Sequence, residues 1–339
     1  FETLHAHTTT SDGVLDYGGL LTACADHGIG IVAFTDHNIL PGADALHYLD
    51  SARERPTKYI IGIEMSAAYP PEIKATAEIF HLTGLFINPR EPNLLKYCRE
   101  KEEQKRKDIR ATINNLRSYG FLIDEGEVFR QVTGSVNLPH LVRALLTHPE
   151  NLRFLDDIFQ KMSDEASRSE TVASLYQSLK KESVEQRIYR LVLCRKAYLR
   201  DLYVKNGKEA DFAEVVSLIR GAGGLAFLAH WTFYKEDVPV EILKKLLREK
   251  RVDGLEIVYG AEMVRRREEI EGDLEMLTTL ASETETLVSG GIDIHLASDL
   301  DKFTADPMAG RTIGLTQAII EKAKPDLSWS SLLWKNSTN

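Results

Sequence analysis

The stretch Leu4-His5-Ala6-His7-Thr8, followed by Ser11-Asp12-Gly13, decides how this chain is read. In an extended strand residues i and i+2 point to one face, so His5 and His7 can converge on a single ion. A turn at Asp12-Gly13 would fold a carboxylate back towards them. A lone His-x-His could equally be a surface or core pair, so the weight falls on what recurs downstream. His37 follows the apolar run Ile31 to Phe34, Glu64 follows Tyr59 to Ile63, and His81 follows Ile79-Phe80. His230 ends the run Leu225 to Ala229, and Asp293 and His295 end Leu287 to Ile292. Each of these groups is expected at the carboxyl end of a strand, where α/β barrels carry their active-site residues. Backbone-satisfied core histidines explain any one position, but not six with acids at the same relative place. Imidazoles mixed with carboxylates suit Zn, Mn or Fe, and nine such donors exceed what one ion takes. Two or three divalent ions sharing a bridging carboxylate would use them.

The intervening segments read as parallel βα units. Ile29 to Phe34, Tyr59 to Ile63 and Glu78 to Phe80 are short, rich in β-branched or aromatic residues and separated by helical periodicity, which marks buried strands. From about Glu91 to Ala213 the chain becomes highly charged, with apolar stripes at helical spacing. Ile109, Ile113 and Leu116 form one stripe, and Ile188, Leu191, Val192, Leu199 and Leu202 another, both read as core packing. The strand rhythm returns with Gly224 to Ala229, Gly254 to Val258 and Leu287 to Ile292. The simplest organisation is an α/β barrel whose first part covers 1–90, a mostly helical insertion at 91–213, and the rest of the barrel with a tail at 214–339. The charge run Lys101 to Lys107 reads as a solvated helix face.

Composition agrees with an ordinary globular protein. In 339 residues, 43% hydrophobic and 27% charged, a large core needs no disulfide or zinc staple, so any metal is expected to be functional. A net charge of −9 disfavours duplex nucleic acid and anionic membranes as partners, while leaving room for one short anionic ligand. Cys24, Cys98 and Cys194 are too widely spaced for a zinc motif and odd in number, which suggests a reducing cytoplasm. No apolar run is long enough for a membrane span. The start at Phe1 rather than Met is read as the mark of a removed leader or tag. Neither a Ser-His-Asp or Cys-His arrangement nor a phosphate-cradling glycine loop stands out, and Gly221 to Gly224 reads as a helix end and turn.

Taken together, His-x-His, Ser-Asp-Gly, Thr35-Asp36-His37, a Glu after the third strand, a later single His, Ala229-His230 and Asp293-x-His295 resemble the polymerase and histidinol phosphatase (PHP) family. The resemblance covers about 1–88 and 215–315 and implies a distorted (β/α)7 barrel that holds divalent ions. It implies that His5, His7, Glu64 and Asp293 hold a first ion, that Glu64 bridges to a second completed by His81 and His230, and that Asp12, His37 and His295 hold a third. Glu64, His230 and Asp293 become the catalytic candidates. Closely spaced ions would generate hydroxide near neutral pH and neutralise phosphate oxygens, so that no protein nucleophile is required. Asp36 reads either as a partner orienting a ligand imidazole or as a helix N-cap.

The insertion narrows the resemblance. Thr133 to Leu145 is similar to a Gly-Arg-Pro-His-x-Ala-Arg-Ala-Leu segment of PHP phosphoesterases that act on nucleotides, which implies phosphate contacts from Ser135 and His140 at a helix start. Leu138 stands where the family has Arg, removing a bidentate clamp. Arg143 is a candidate replacement or a solvated residue, and His140 reads equally as a locally packed helix-start residue. Lys235 and Arg311 are cationic candidates at strand-end loops, and Trp231, Phe233 and Tyr234 either stack a nucleobase or pack their loop. His27, His47 and His148 carry no supporting context. The expected activity is hydrolysis of a phosphate ester of a nucleotide or short single-stranded oligonucleotide. The alternatives are a phosphatase for a metabolite such as histidinol phosphate, and a metal- or phosphate-binding sensor without turnover. The oligomeric state is not legible.

Overall fold

A computed structural model describes residues 1–70, 73, 79–194, 196–258 and 267–332. Contacts divide the chain into two compact units, Phe1–Glu100 with Lys208–Asn339, and Lys101–Gly207. The breaks expected at 90/91 and 213/214 fall just outside the second unit on either side. The first of them lies against the start of the helix Pro92–Tyr119, which runs from one unit into the other.

The first unit is built on β1 (Glu2–Thr3), β2 (Ile31–Phe34), β3 (Lys58–Ala68), β4 (Phe80–Leu85), β5 (Ala210–Asp211), β6 (Leu225–Leu228), β7 (Gly254–Val258) and β8 (Leu287–Gly290). The sheet order is β1-β2-β3-β4-β6-β7-β8, with β5 attached to the far end of β3. Its two ends meet: Leu4 N–H donates to the Gly290 carbonyl at 2.9 Å and His7 N–H to the Ile294 carbonyl at 2.8 Å. The seven-stranded path therefore all but closes into the expected distorted barrel.

β4 is the source of the distortion. It pairs antiparallel with both β3 and β6, whereas the other neighbours on the path are parallel. This corrects the expectation for His81, which lies at the amino end of β4 and not at the carboxyl end of a strand Glu78 to Phe80. Glu78 itself is outside the described residues. Because β4 runs backwards, its amino end meets the carboxyl half of β3, with His81 opposite Ser66. Glu64 likewise lies inside β3, since that strand continues to Ala68 to pair Gly62–Ala67 with β4.

Successive strands contribute to a buried apolar layer. Ala33 of β2, Ile60 of β3, Leu85 of β4 and Phe227 of β6 join Leu4 and Ile319 in one cluster. Gly254 opens β7 because a Cβ there would lie 2.0 Å from the Phe227 ring. The helix Tyr17–Asp26 starts at Asp16, whose carboxylate accepts from Gly19 N–H at 2.7 Å.

The second unit is helical. Ile109, Ile113 and Leu116 bury with Ile188, Leu191 and Val192 in a single core, and Leu199 and Leu202 pack on its edge, as the stripes require. The Lys101 to Lys107 run is only in part the solvated face expected of it: Glu103 and Lys107 are exposed, while the rest is half-buried. Lys105 turns inwards, donating to Ser135 Oγ at 2.9 Å and Asn137 Oδ1 at 2.8 Å, and Arg106 donates to Glu102 Oε1 and to the Gly134 carbonyl. Charged heads on long apolar stems satisfy the polar loop before the helix Leu138–Leu146, a role that a charge pattern alone does not reveal.

Candidate metal centre

All nine expected donors meet on one rim of the barrel unit. Glu64, 1% exposed, lies at the middle. Its Oε1 is 2.9 Å from His81 Nδ1 and 3.0 Å from His230 Nε2. Its Oε2 is 2.8 Å from His37 Nδ1 and 3.4 Å from both His5 Nε2 and His7 Nε2. Asp293 Oδ1 is 3.0 Å from His7 Nε2 and 3.4 Å from His5 Nε2. Asp12 faces His7, His37 and His295 at 3.7, 3.6 and 3.5 Å.

The backbone explains how these side chains arrive. His5 and His7 follow β1 with Ala6 bridged to Ile294 between them, and their rings stand 5.2 Å apart. Asp12 is delivered by a tight loop in which Ser11 and Gly13 N–H both donate to the Thr8 carbonyl. A Cβ at Gly13 would lie 2.3 Å from the His7 carbonyl oxygen, so only glycine lets the loop fold this closely. His230 and Asp293 adopt positive φ, 31° and 54°, a conformation that non-glycine residues hold only when the surroundings impose it.

The donor atoms fall into four overlapping groups, each within 4.8 Å: His7, Asp12, His37 and His295; His5, His230 and Asp293; His5, His7 and Glu64; and Glu64, His81 and His230. His5 Nε2, His7 Nε2, Asp12 Oδ1, Glu64 Oε2 and Asp293 Oδ1 are buried and make no hydrogen bond among the described residues. Buried polar atoms are normally hydrogen-bonded, so atoms that converge without an aligned proton fit a site built around cations. The mixed imidazole and carboxylate set fits divalent transition ions.

Electrostatics separates the donors. Burial opposes the charge on Glu64, but the His37, His81 and His5 rings outweigh it and hold the carboxyl well below its ordinary value. Asp12 and Asp293 are depressed against burial in the same way, by His37 and His295 and by His5 and His7 respectively. Burial lowers His7, helped by His295 and His37, and burial also lowers His81, leaving these rings neutral donors. His295 moves the other way: despite burial, Asp12 and Asp293 push it up to about 10.

Asp36 is not a helix N-cap, since the next helix starts at Ala43, and it meets a ligand imidazole through Ser11, whose Oγ lies 3.5 Å from His7 Nδ1. It accepts from Thr8 N–H at 2.7 Å, Thr8 Oγ1 at 2.8 Å, Ser11 Oγ at 2.6 Å and Tyr17 Oη at 3.2 Å, fastening the loop that carries Asp12. Glu256 of β7 escaped the sequence reading. It is 2% exposed, lies 3.2 Å from His5 Nδ1 and accepts from His230 N–H at 2.8 Å. The available signal was a lone carboxylate in the apolar run Gly254-Leu-Glu-Ile-Val, because Glu is almost never buried unless paired.

The remaining candidates are more ordinary in their surroundings. Trp231 is buried, with Nε1–H donating to the Val238 carbonyl at 2.9 Å, so it packs its loop. Tyr234 packs 5.5 Å from His230, while Phe233 is 49% exposed with its ring 5.7 Å from the same imidazole. Lys235 is ion-paired with Asp273 at 3.2 Å, and Arg311 is exposed on the turn Pro307–Thr312. In the helical unit Ser135 is held by Lys105, and His140 is buried with Nδ1 accepting from Asn137 N–H at 3.0 Å, an N-terminal cap. Leu138 packs against that unit's core, and Arg143 Nε donates to Gln131 Oε1 at 2.9 Å. Sequence reasoning missed Lys105.

An all-but-closed barrel with this donor cluster defines the class of metal-dependent phosphoesterases. Residues 3–222, more than half of the chain, match the PHP domain family, and the chain belongs to that family. It is 22% identical over 298 residues to a 5'-3' exoribonuclease of Haemophilus influenzae, covering 86% of this chain and 89% of that protein. It is 28% identical over 150 residues to a phosphoribosyl 1,2-cyclic phosphate 1,2-diphosphodiesterase of Eggerthella lenta, a match over 44% of this chain that spans only 55% of that relative. Among solved structures, a protein described as a metal-dependent phosphoesterase from Bifidobacterium adolescentis has a TM-score of 0.63, and an amidohydrolase from Chromobacterium violaceum 0.61. Each is 20% identical over 87% of both chains, a likeness of fold. No helix among the described residues is long and apolar enough to cross a membrane.

Proposed function

We propose that the chain hydrolyses a phosphate ester of a nucleotide or a short single-stranded oligonucleotide, using two or three divalent ions, Mn, Zn or Fe, held by His5, His7, Asp12, His37, Glu64, His81, His230, Asp293 and His295. The observation that carries this reading is the convergence of five imidazoles, from His5, His7, His37, His81 and His230, on the two oxygens of the buried Glu64. Divalent ions in such a site supply Lewis acidity, lowering the pKa of water and neutralising phosphate oxygens as charge builds in the transition state.

The chain's own part is positional. Glu64 holds two sets of imidazoles in one geometry, and the Asp36 network fixes the approach of Asp12. Phe233 offers an exposed aromatic face beside His230 on which a base can stack. Ser135, His140 and Arg143 of the helical unit are proposed phosphate contacts, with Lys105 beside Ser135 as the nearby cation. Lys235 would have to exchange Asp273 for a substrate phosphate.

The nucleotide reading is supported by the length of the match to the Haemophilus relative, which includes most of this chain. The Eggerthella relative favours a second reading, a small cyclic sugar phosphodiester. The net charge of −9 supports a short ligand over duplex nucleic acid, and three cysteines, odd in number and widely spaced, support a reducing cytoplasm. The test is hydrolysis with Mn added, read as inorganic phosphate from a nucleoside 3',5'-bisphosphate and histidinol phosphate, as mononucleotide from a 5'-phosphorylated short RNA, and as the ring-opened monoester from a phosphoribosyl cyclic phosphate. A kcat/KM highest for the bisphosphate or RNA is expected. Preference for histidinol phosphate, or bound metal with no release from any ester, would overturn the substrate assignment.

A further inference from the structure

Glu256 belongs to none of the donor groups, yet it is a buried carboxylate with two partners, and both are donors. One oxygen is 3.2 Å and the other 3.4 Å from His5 Nδ1, and the second also accepts the His230 backbone N–H at 2.8 Å. His5 is completely buried, and its opposite nitrogen, Nε2, points at Glu64 and Asp293, each 3.4 Å away.

A ring nitrogen binds a cation only through its lone pair, so Nε2 can serve only if the proton of the neutral ring is on Nδ1. A carboxylate accepts and never donates, and its presence at Nδ1 keeps the proton there. The same carboxylate ties down the amide of His230, whose backbone sits at φ 31° and whose Nε2 meets Glu64 at 3.0 Å. We propose that Glu256 is a positioning residue that sets the tautomer of His5 and the backbone of His230, and thereby readies two donors on opposite sides of Glu64. The proposal rests on the metal-centre reading above, and goes beyond it in assigning a role to a residue that touches no ion.

Glu256→Gln separates this role from space-filling, because Gln has the same shape. The amide oxygen is the only acceptor left for His230 N–H, so the amide NH2 turns to His5 Nδ1 and drives the proton to Nε2. Affinity for Mn or Zn, measured by competition with a chromophoric chelator, should fall about 10- to 100-fold for at least one ion. The melting temperature of the metal-free protein is measured beside it, so that a loss of affinity is counted only in folded protein. Affinity within about threefold of wild type, or a lowered melting temperature with affinity intact, would mean that Glu256 serves structure alone. If the variant does not fold, 15N NMR of the zinc-loaded wild-type protein decides: a proton on His5 Nδ1 with none on Nε2 is expected, and the reverse overturns the proposal. Wild-type protein that takes up no divalent ion overturns the metal-centre reading itself, a result distinct from equal uptake by wild type and variant.

Discussion

Replacing Glu64 by Gln conserves shape and removes one acceptor and the charge. Oε1 serves His81 and His230, while Oε2 serves His5, His7 and His37. Whichever oxygen becomes the amide nitrogen, at least two imidazole nitrogens that faced a lone pair now face an N–H. One of the two donor groups sharing Glu64 is therefore broken in either orientation. Removing one partner from a buried charge pair costs about 3–5 kcal/mol. If that loss falls on the transition state, at 1.36 kcal/mol per tenfold it lowers kcat/KM by about 10²- to 10⁴-fold. The assay is phosphate release at saturating Mn, with bound metal counted in the same samples and folding checked by circular dichroism. A folded Glu64→Gln protein with kcat/KM within about threefold of wild type would refute the bridging role.

Removal of metal by a chelator should abolish phosphate release and added Mn restore it, while the unfolding free energy falls by about 2.7 kcal/mol for an ion held at a hundredfold its Kd, readable by calorimetry. Asp36→Ala strips the acceptor from four donors around the Thr8 to Ser11 loop, so a loss of about 3–5 kcal/mol in urea unfolding is expected, with Asp36→Asn losing less. Gly254→Ala forces a methyl group against the Phe227 ring and should cost about 1–3 kcal/mol; an unchanged melting temperature would show that the strand can give way there. The Asp301 hydrogen bond, with the Ala23 carbonyl, raises His27 above its ordinary value. A raised folded-state value means stability present below the unfolded value of about 6.5 and lost as pH rises through the folded one. Asp301→Asn should therefore lower the melting temperature at pH 5.5 and not at pH 9, by a small amount because the pair is largely exposed.

The donors were legible because each needs a particular element type at a particular spacing, and the strand runs before His37 and His230 reveal their rim position directly. His81 was legible for a different reason from the one first given. Its residue type and order were right, but nothing in the local sequence says that β4 runs against its neighbours, since strand direction is set by long-range pairing with β3 and β6. Asp36 shows the same limit: a carboxylate beside a ligand histidine looks like its partner, yet its side chain points to a loop some twenty-five residues earlier in the chain. Glu256 and Lys105 act through contacts that only the fold creates, one across the barrel to His5 and one across the helical unit to Ser135. Apolar stripes, by contrast, translated straight into a core, because burial depends on periodicity more than on partners.

The most direct measurement is a count of divalent ions per chain in purified protein reconstituted separately with Mn, Zn and Fe, by elemental analysis on the unmodified sequence. Nine donors in four overlapping groups lead to an expected two or three ions per chain, retained through gel filtration. A chain that retains none of the three metals would contradict the account and return the histidines to a structural role.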